Sequence, residues 1–194
     1  MKNHDHEPMR APLLMGYADT YVKLAKNRIL FVAEGVDDTM AAQLSAMLLY
    51  LDNEDHDNPI EMYIHSNGGH VTGLANIYDV MQMIKAPIKT VCIGKCYSAA
   101  AVLLAAGTKG MRYAFRNSSV MIHGIQFGFP IPGHDMTSSK SYFDFVNSNN
   151  DNIMKMLASH TGHTLEKVKA DCKEDVWLTA EGAKAYGIID HIVG

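Results

Sequence analysis

The chain has 194 residues, a formal net charge of −4 and 47% hydrophobic residues. That length suits one domain burying about two-thirds of its unfolded surface, and the composition excludes a disordered chain. Acids and bases are scattered with no basic block longer than two residues, which argues against a nucleic-acid partner.

No stretch reaches the ~18 consecutive apolar residues that a membrane span needs. Cys92, Cys96 and Cys172 make an odd count without a C-x-x-C pair. A reducing, cytoplasmic setting is therefore expected, with no disulfide or zinc framework. Residues 1–12 are polar and include His4, Asp5, His6 and Glu7. This composition reads as a polar tail rather than a metal site, and it is wrong for a signal peptide.

In chain order, residues 29–33 read as a buried strand stopped by Gly35. Asp37, Asp38 and Thr39 offer N-cap oxygens to a helix with Met40, Leu44, Met47, Leu48 and Leu51 on one face. A polar loop over 53–59 precedes a strand in which Ile60, Met62 and Ile64 alternate with Glu61, Tyr63 and His65. The turn Ser66-Asn67-Gly68-Gly69 opens a helix marked by Val71, Leu74, Tyr78, Met81 and Ile84, and Pro87 ends that unit. Residues 88–93 read as a buried strand, followed by a lead-in over 94–98 and a small-residue helix over 99–106 closed by Gly107. Two short strands are expected at 113–115 and 119–122.

The stretch 124–133 mixes three glycines and two prolines with bulky apolar residues, so an extended or irregular arm is expected. A long helix over 135–160 follows, broken by Gly162. A short helix from Leu165, a turn near Trp177, a helix over 180–186 and a strand over 188–193 complete the chain. Strands alternating with helices give an α/β domain.

Ser98 stands at a strand-to-helix junction before three alanines. There its hydroxyl either caps the helix or serves as a nucleophile beside backbone N–H groups able to stabilise an oxyanion. His123 ends the apolar run Val120-Met121-Ile122, a rigid mount for a general base, or else a structural histidine. Asp171, Asp175 and Asp190 are all available to orient its imidazole, and spacing does not choose among them. Gly68-Gly69 lets backbone N–H groups approach a ligand closely. The sequence has no G-x-S-x-G, and its order of Ser, His and Asp differs from that of an α/β-hydrolase.

From about Tyr21 to Val193 these segments together resemble the proteolytic subunit of Clp protease, as a divergent member. Ser66-Asn67-Gly68-Gly69 is similar to the family's S-P-G-G turn, and residues 77–84 resemble the helix that follows it. Gly94-Lys95-Cys96-Tyr97-Ser98-Ala99-Ala100-Ala101 resembles G-x-A-A-S-M-G-A, and Val120-Met121-Ile122-His123 matches V-M-I-H. His160-Thr161-Gly162 and residues 171–190 follow the closing region.

The resemblance implies a crotonase-like α/β spiral of β-β-α units with a protruding strand-helix arm over about 124–160. It implies a variable N-terminal segment over 1–17 and a peptidase domain over 18–194. It implies a Ser98–His123–Asp175 triad, an oxyanion hole from the N–H groups of Gly69 and Ala99, and neither metal nor organic cofactor. It further implies a homo-oligomeric ring, heptameric or doubly heptameric, that receives unfolded polypeptides from an AAA+ unfoldase. Phe127, Phe129 and Ile131 on the arm are expected to be covered by association.

The chain departs from the family pattern at Asn67, at Ala99, at Gly124-Ile125 and at Glu174, which replaces an arginine used in ring pairing. Cys96-Tyr97 replaces two small residues, and Tyr97 is expected to narrow the site. Two other readings share the fold: a weakly active structural or regulatory ring subunit, and an acyl-CoA enzyme of the crotonase type.

Overall fold

The computed structural model describes residues 11–126 and 136–194, with side chains from 19–126 and 140–194. The polar tail around His4 and His6, and the arm residues Phe127, Phe129 and Ile131, lie outside the described residues.

The first element is a helix, α1 (Ala11–Lys26). It was not anticipated from the sequence, and it runs across the expected segment boundary at 17–18. Arg28 then turns the chain with φ 63° into β1 (Ile29–Val32). A left-handed arginine is strained, but its guanidinium donates to the carbonyls of Leu51, Asp55, Asn58 and Pro59 at 2.7–3.1 Å. Those bonds satisfy carbonyls at the end of helix α2 (Asp38–Glu54) and in the loop after it. At the other end of α2, Asp37 is the N-cap and accepts from Met40 N–H at 2.8 Å.

Strand β2 (Ile60–Ser66) buries Ile60, Met62, Ile64 and Ser66 while Glu61, Tyr63 and His65 face outward, the alternation expected of a half-covered strand. Helix α3 (Val71–Met83) leads to β3 (Ile88–Tyr97), which runs four residues beyond the expected end at Ile93. Gly94 reads as a stop but is a bulge. It takes φ 78°, and β3 spends Cys92 to Cys96 against only Ile64 to Ser66 of β2. The bulge also changes the partner of β3. Thr90–Cys92 pair with β4 (Arg112–Phe115), whereas Lys95–Tyr97 pair with β5 (Ser119–Ile122).

Helix α4 (Ala99–Ala105) is wholly buried, its alanines allowing close packing against β3 and β2. The long helix α5 (Met136–Thr161) and short helix α6 (Leu165–Asp171) follow. The expected turn near Trp177 is instead an edge strand, β6 (Val176–Thr179), antiparallel to β5. Four residues are too few for periodicity to distinguish strand from turn; pairing with β5 decides it. Helix α7 (Ala180–Tyr186) ends at Gly187 with φ 87°, and the last strand shrinks to β7 (His191–Val193) because Ile188 and Ile189 are buried in that turn.

The main sheet has the order β1-β2-β3-β4-β7, with β5 beside the second half of β3 and β6 outside β5. Among the described residues every strand pairing but β5–β6 is parallel. Leu48, Met62, Ile64, Leu74, Ile77, Leu103, Leu104, Ile122, Met154 and Leu157 fill the core between this sheet and the helices. The α/β fold expected from the resemblance is the fold found.

Candidate active site

β3 and β5 are parallel and in register, with Tyr97 opposite Met121. Their carboxyl ends therefore deliver Ser98 and His123 to one place, the edge where open parallel sheets place their ligands. Ser98 N–H donates to Met121 O at 2.8 Å, fastening the junction. The Oγ of Ser98 lies 2.8 Å from His123 Nε2.

Ser98 occupies the N-cap position of α4, yet its side chain makes no capping hydrogen bond. Its backbone has φ 55° and ψ −124°, a region that costs a non-glycine residue about 1–3 kcal/mol. Capping requires an extended N-cap backbone and a side chain turned to the helix. Here the backbone is strained and the side chain turns to His123, so the capping role is excluded.

The three acids divide cleanly. Asp190 accepts from Arg112 Nε at 2.8 Å and from an Arg112 terminal nitrogen at 2.6 Å, and from the Gly110 and Arg112 N–H groups. Burial pushes its pKa up, but the bonds and charge of Arg112 outweigh this and hold the carboxyl below its ordinary value. Asp171 accepts from Lys167 Nζ at 2.7 Å, which is the main cause of its lowered pKa, and from Tyr186 OH at 2.8 Å.

Asp175 remains. In the antiparallel pair Ile122 faces Val176, so the residue after Ile122 meets the residue before Val176. Asp175 Oδ1 lies 3.4 Å from His123 Nδ1. This approach is not a formed hydrogen bond, because Nδ1 is buried with no hydrogen-bond partner. Gln126, which the sequence did not single out, sits 3.4 Å from the same carboxylate oxygen through its Nε2.

Gly68 and Gly69 lie against the serine turn. Gly68 has φ 87°, and a Cβ there would fall 2.6 Å from Tyr97 O and 2.8 Å from both Ala99 N and Ser98 Cβ. A Cβ on Gly69 would strike the Val36 backbone, to which the turn is tied by Val36 N–H to Gly68 O at 2.9 Å and His70 N–H to Val36 O at 2.7 Å. Among the described residues, neither Gly69 N–H nor Ala99 N–H has a hydrogen-bond acceptor. The first N–H groups of a helix have no partner within it. Within the turn, Ser66 Oγ accepts Gly68 N–H at 3.0 Å and donates to Glu34 O at 2.5 Å.

A cavity of about 190 Å³ opens beside Ser98, walled by Val71, Leu74, Val102, Ile122, Ile153 and Leu157. Tyr97 does not narrow it. Its ring packs edge-on against Trp177 with centroids 5.0 Å apart, and its hydroxyl meets Ser119 Oγ at 2.7 Å. Among the described residues no group of three His, Cys, Asp or Glu side chains is placed to hold a metal.

The arrangement can carry a proton from a hydroxyl to an imidazole, with a carboxylate 3.4 Å behind the ring, and Gly69 and Ala99 line the same cavity as Ser98. Residues 15–194 match the family described as Clp protease, and this chain belongs to the Clp protease family.

Proposed function

We propose that this chain is a serine endopeptidase acting as the proteolytic subunit of an ATP-dependent protease. The family is one of protease proteolytic subunits. The observation that carries the finer reading is the strained Ser98, whose hydroxyl lies 2.8 Å from His123 Nε2.

In this reading His123 takes the Ser98 proton as the hydroxyl attacks a peptide carbonyl, and the N–H groups of Gly69 and Ala99 receive the oxyanion. Asp175 holds the imidazole tautomer and balances the imidazolium. Water then hydrolyses the acyl-enzyme with the same histidine as base. The apolar walls of the adjoining cavity suit an apolar side chain on the acyl side of the cleaved bond.

The peptidase domain covers residues 18–194, with 1–17 as a variable segment and the arm over about 124–160. Copies assemble into a cytoplasmic ring, fed with unfolded polypeptide by an AAA+ unfoldase. Among the described residues no helix is long and apolar enough to cross a membrane.

The unpartnered His123 Nδ1, 3.4 Å from Asp175, supports a second reading as a weakly active structural or regulatory ring subunit. Hydrolysis of a fluorogenic peptide by the purified protein and by Ser98→Ala, with oligomer size recorded on both, separates the two. Turnover lost in Ser98→Ala supports the peptidase. A well-assembled but silent wild type supports the regulatory subunit.

A further inference from the structure

The main chain just beyond His123 is held by two groups from other elements. Gly124 N–H donates to Cys172 O at 3.0 Å, in the turn that ends α6 and leads to Asp175. Ile125 N–H donates to Asn150 Oδ1 at 2.8 Å, from the middle of α5. Any side chain on the residue between His123 and Ile125 would press on both clamps, and its partners would have to give by a few tenths of an ångström. A Cβ on Gly124 would lie 3.2 Å from Asn150 Oδ1 and 3.3 Å from Cys172 O.

His123 follows the last residue of β5, so its backbone is held by β5 on one side and by the clamped residues 124–125 on the other. The segment 124–126 also walls the cavity beside Ser98. Asn150 lines the neighbouring cleft of about 250 Å³ together with His123, Gln126, Cys172 and Asp175. Ile125 N–H is a donor, so only the oxygen of the Asn150 amide can meet it. Ile125 is only partly buried, so without the Asn150 oxygen its N–H has to turn to water or shift to another acceptor, and the fixed position of the segment is lost.

We propose that Asn150 is a positioning residue for the reaction: its side-chain oxygen anchors the segment after His123 and so sets the imidazole against Ser98. The inference rests on the serine-peptidase reading. Asn150 touches neither Ser98 nor the reacting atoms, so it acts through geometry. Small displacements of a reacting group are expensive in rate. Losing the anchor lowers the rate of chemistry more than the affinity for substrate.

The test uses the assembled full chain, with the rate of Ser98 labelling by a fluorophosphonate and peptide kcat and KM read on each variant's pH plateau. Asn150→Leu keeps the side chain's shape and removes the acceptor; Asn150→Asp keeps the acceptor. Asn150→Leu should lower labelling and kcat at least about tenfold with KM within about twofold. Asn150→Asp should recover most of the loss.

Labelling of Asn150→Leu within about twofold of wild type overturns the proposal, and so does Asn150→Asp as slow as Asn150→Leu. Should Asn150→Leu fail to fold, Asn150→Ala, which removes the same acceptor with a smaller side chain, decides: slow labelling supports the anchor, and a wild-type rate overturns it. A folded wild type that does not label at Ser98 overturns the peptidase reading itself, a result distinct from any of these.

Discussion

Replacing Gly68 with alanine should damage both folding and chemistry, and the two losses can be separated. Gly68 has φ 87°, and its missing Cβ would sit 2.6 Å from Tyr97 O and 2.8 Å from Ala99 N. These are backbone atoms, so no rotamer change relieves the clash. An alanine in the left-handed region costs about 1–2 kcal/mol. Forcing a methyl into a packed site adds about 1–3 kcal/mol, giving a loss of about 2–5 kcal/mol in urea unfolding. Gly110 is the control. It has the same φ of 87° but nothing within 4 Å of its Cβ position. Gly110→Ala should therefore show only the backbone part, about 1–2 kcal/mol. Relief of the Gly68→Ala clash must move Ala99 N–H or Ser98, so labelling of Ser98 should fall at least about tenfold there and stay at the wild-type rate in Gly110→Ala. Equal unfolding losses in the two variants, with both labelling normally, would refute the close contact between this turn and the serine.

Asp190→Ala should lose about 3–5 kcal/mol in denaturant unfolding because it strands Arg112, whose side chain is 4% exposed; a loss below about 1 kcal/mol would show that water reaches the arginine. The Asp190 pKa is depressed below its ordinary 3.8 in the fold. Its stabilisation is therefore fully present above that value and disappears as pH falls through the folded pKa. Stability followed from pH 6 to pH 2 should drop below about pH 4, and Asp190→Asn should flatten that drop. Asp175→Ala should lower kcat at least about a hundredfold with its Tm unchanged within about 2 °C, since the carboxylate is 40% exposed and in the proposed mechanism it orients the imidazole; near-normal kcat would remove it from the site. Burial pushes the Cys172 thiol up to about 11, so iodoacetamide at pH 8 should spare it in the folded protein and modify it on unfolding. Modification of the native protein would place that turn open to solvent.

The elements with a strong period were legible. The alternation of Ile60, Met62 and Ile64 gave β2, and the spacing of Val71, Leu74, Tyr78 and Met81 gave α3. The elements that were not legible depend on partners distant in sequence. Val176–Thr179 is a strand because Ile122 and Val120 pair with it. β3 continues past Gly94 because that glycine's left-handed backbone absorbs two extra residues and β5 takes up the pairing. Asn150 carried no sequence signal at all, since one asparagine among several in 147–152 stands out only when Ile125 N–H is seen to end on it. Ser98 was legible as a candidate from its strand-to-helix junction before three alanines, and His123 from its place after the apolar run 120–122. Local sequence left cap and nucleophile open, the family resemblance favoured the nucleophile, and the backbone angle and the direction of the hydroxyl supply the physical reason.

β5 explains why three residues far apart in sequence meet. Among the described residues it is the one strand with a parallel neighbour on one side and an antiparallel neighbour on the other. The parallel neighbour, β3, runs in the same direction and so brings its exit residue, Ser98, to the exit residue of β5, His123. The antiparallel neighbour, β6, runs the other way and so brings its entry residue, Asp175, to that same end. Were β6 parallel, Asp175 would lie at the far end of β5, about 13 Å away at 3.3 Å per residue. No spacing rule in the sequence could have separated Asp175 from Asp171 or Asp190, because strand direction is what separates them. Asp190 precedes β7, which is parallel to β4, and it meets Arg112 at the entry end of that pair. The same chemical group thus becomes a partly buried anchor for Arg112 at the entry of a parallel pair and a carboxylate 3.4 Å from the imidazole at the entry of an antiparallel one.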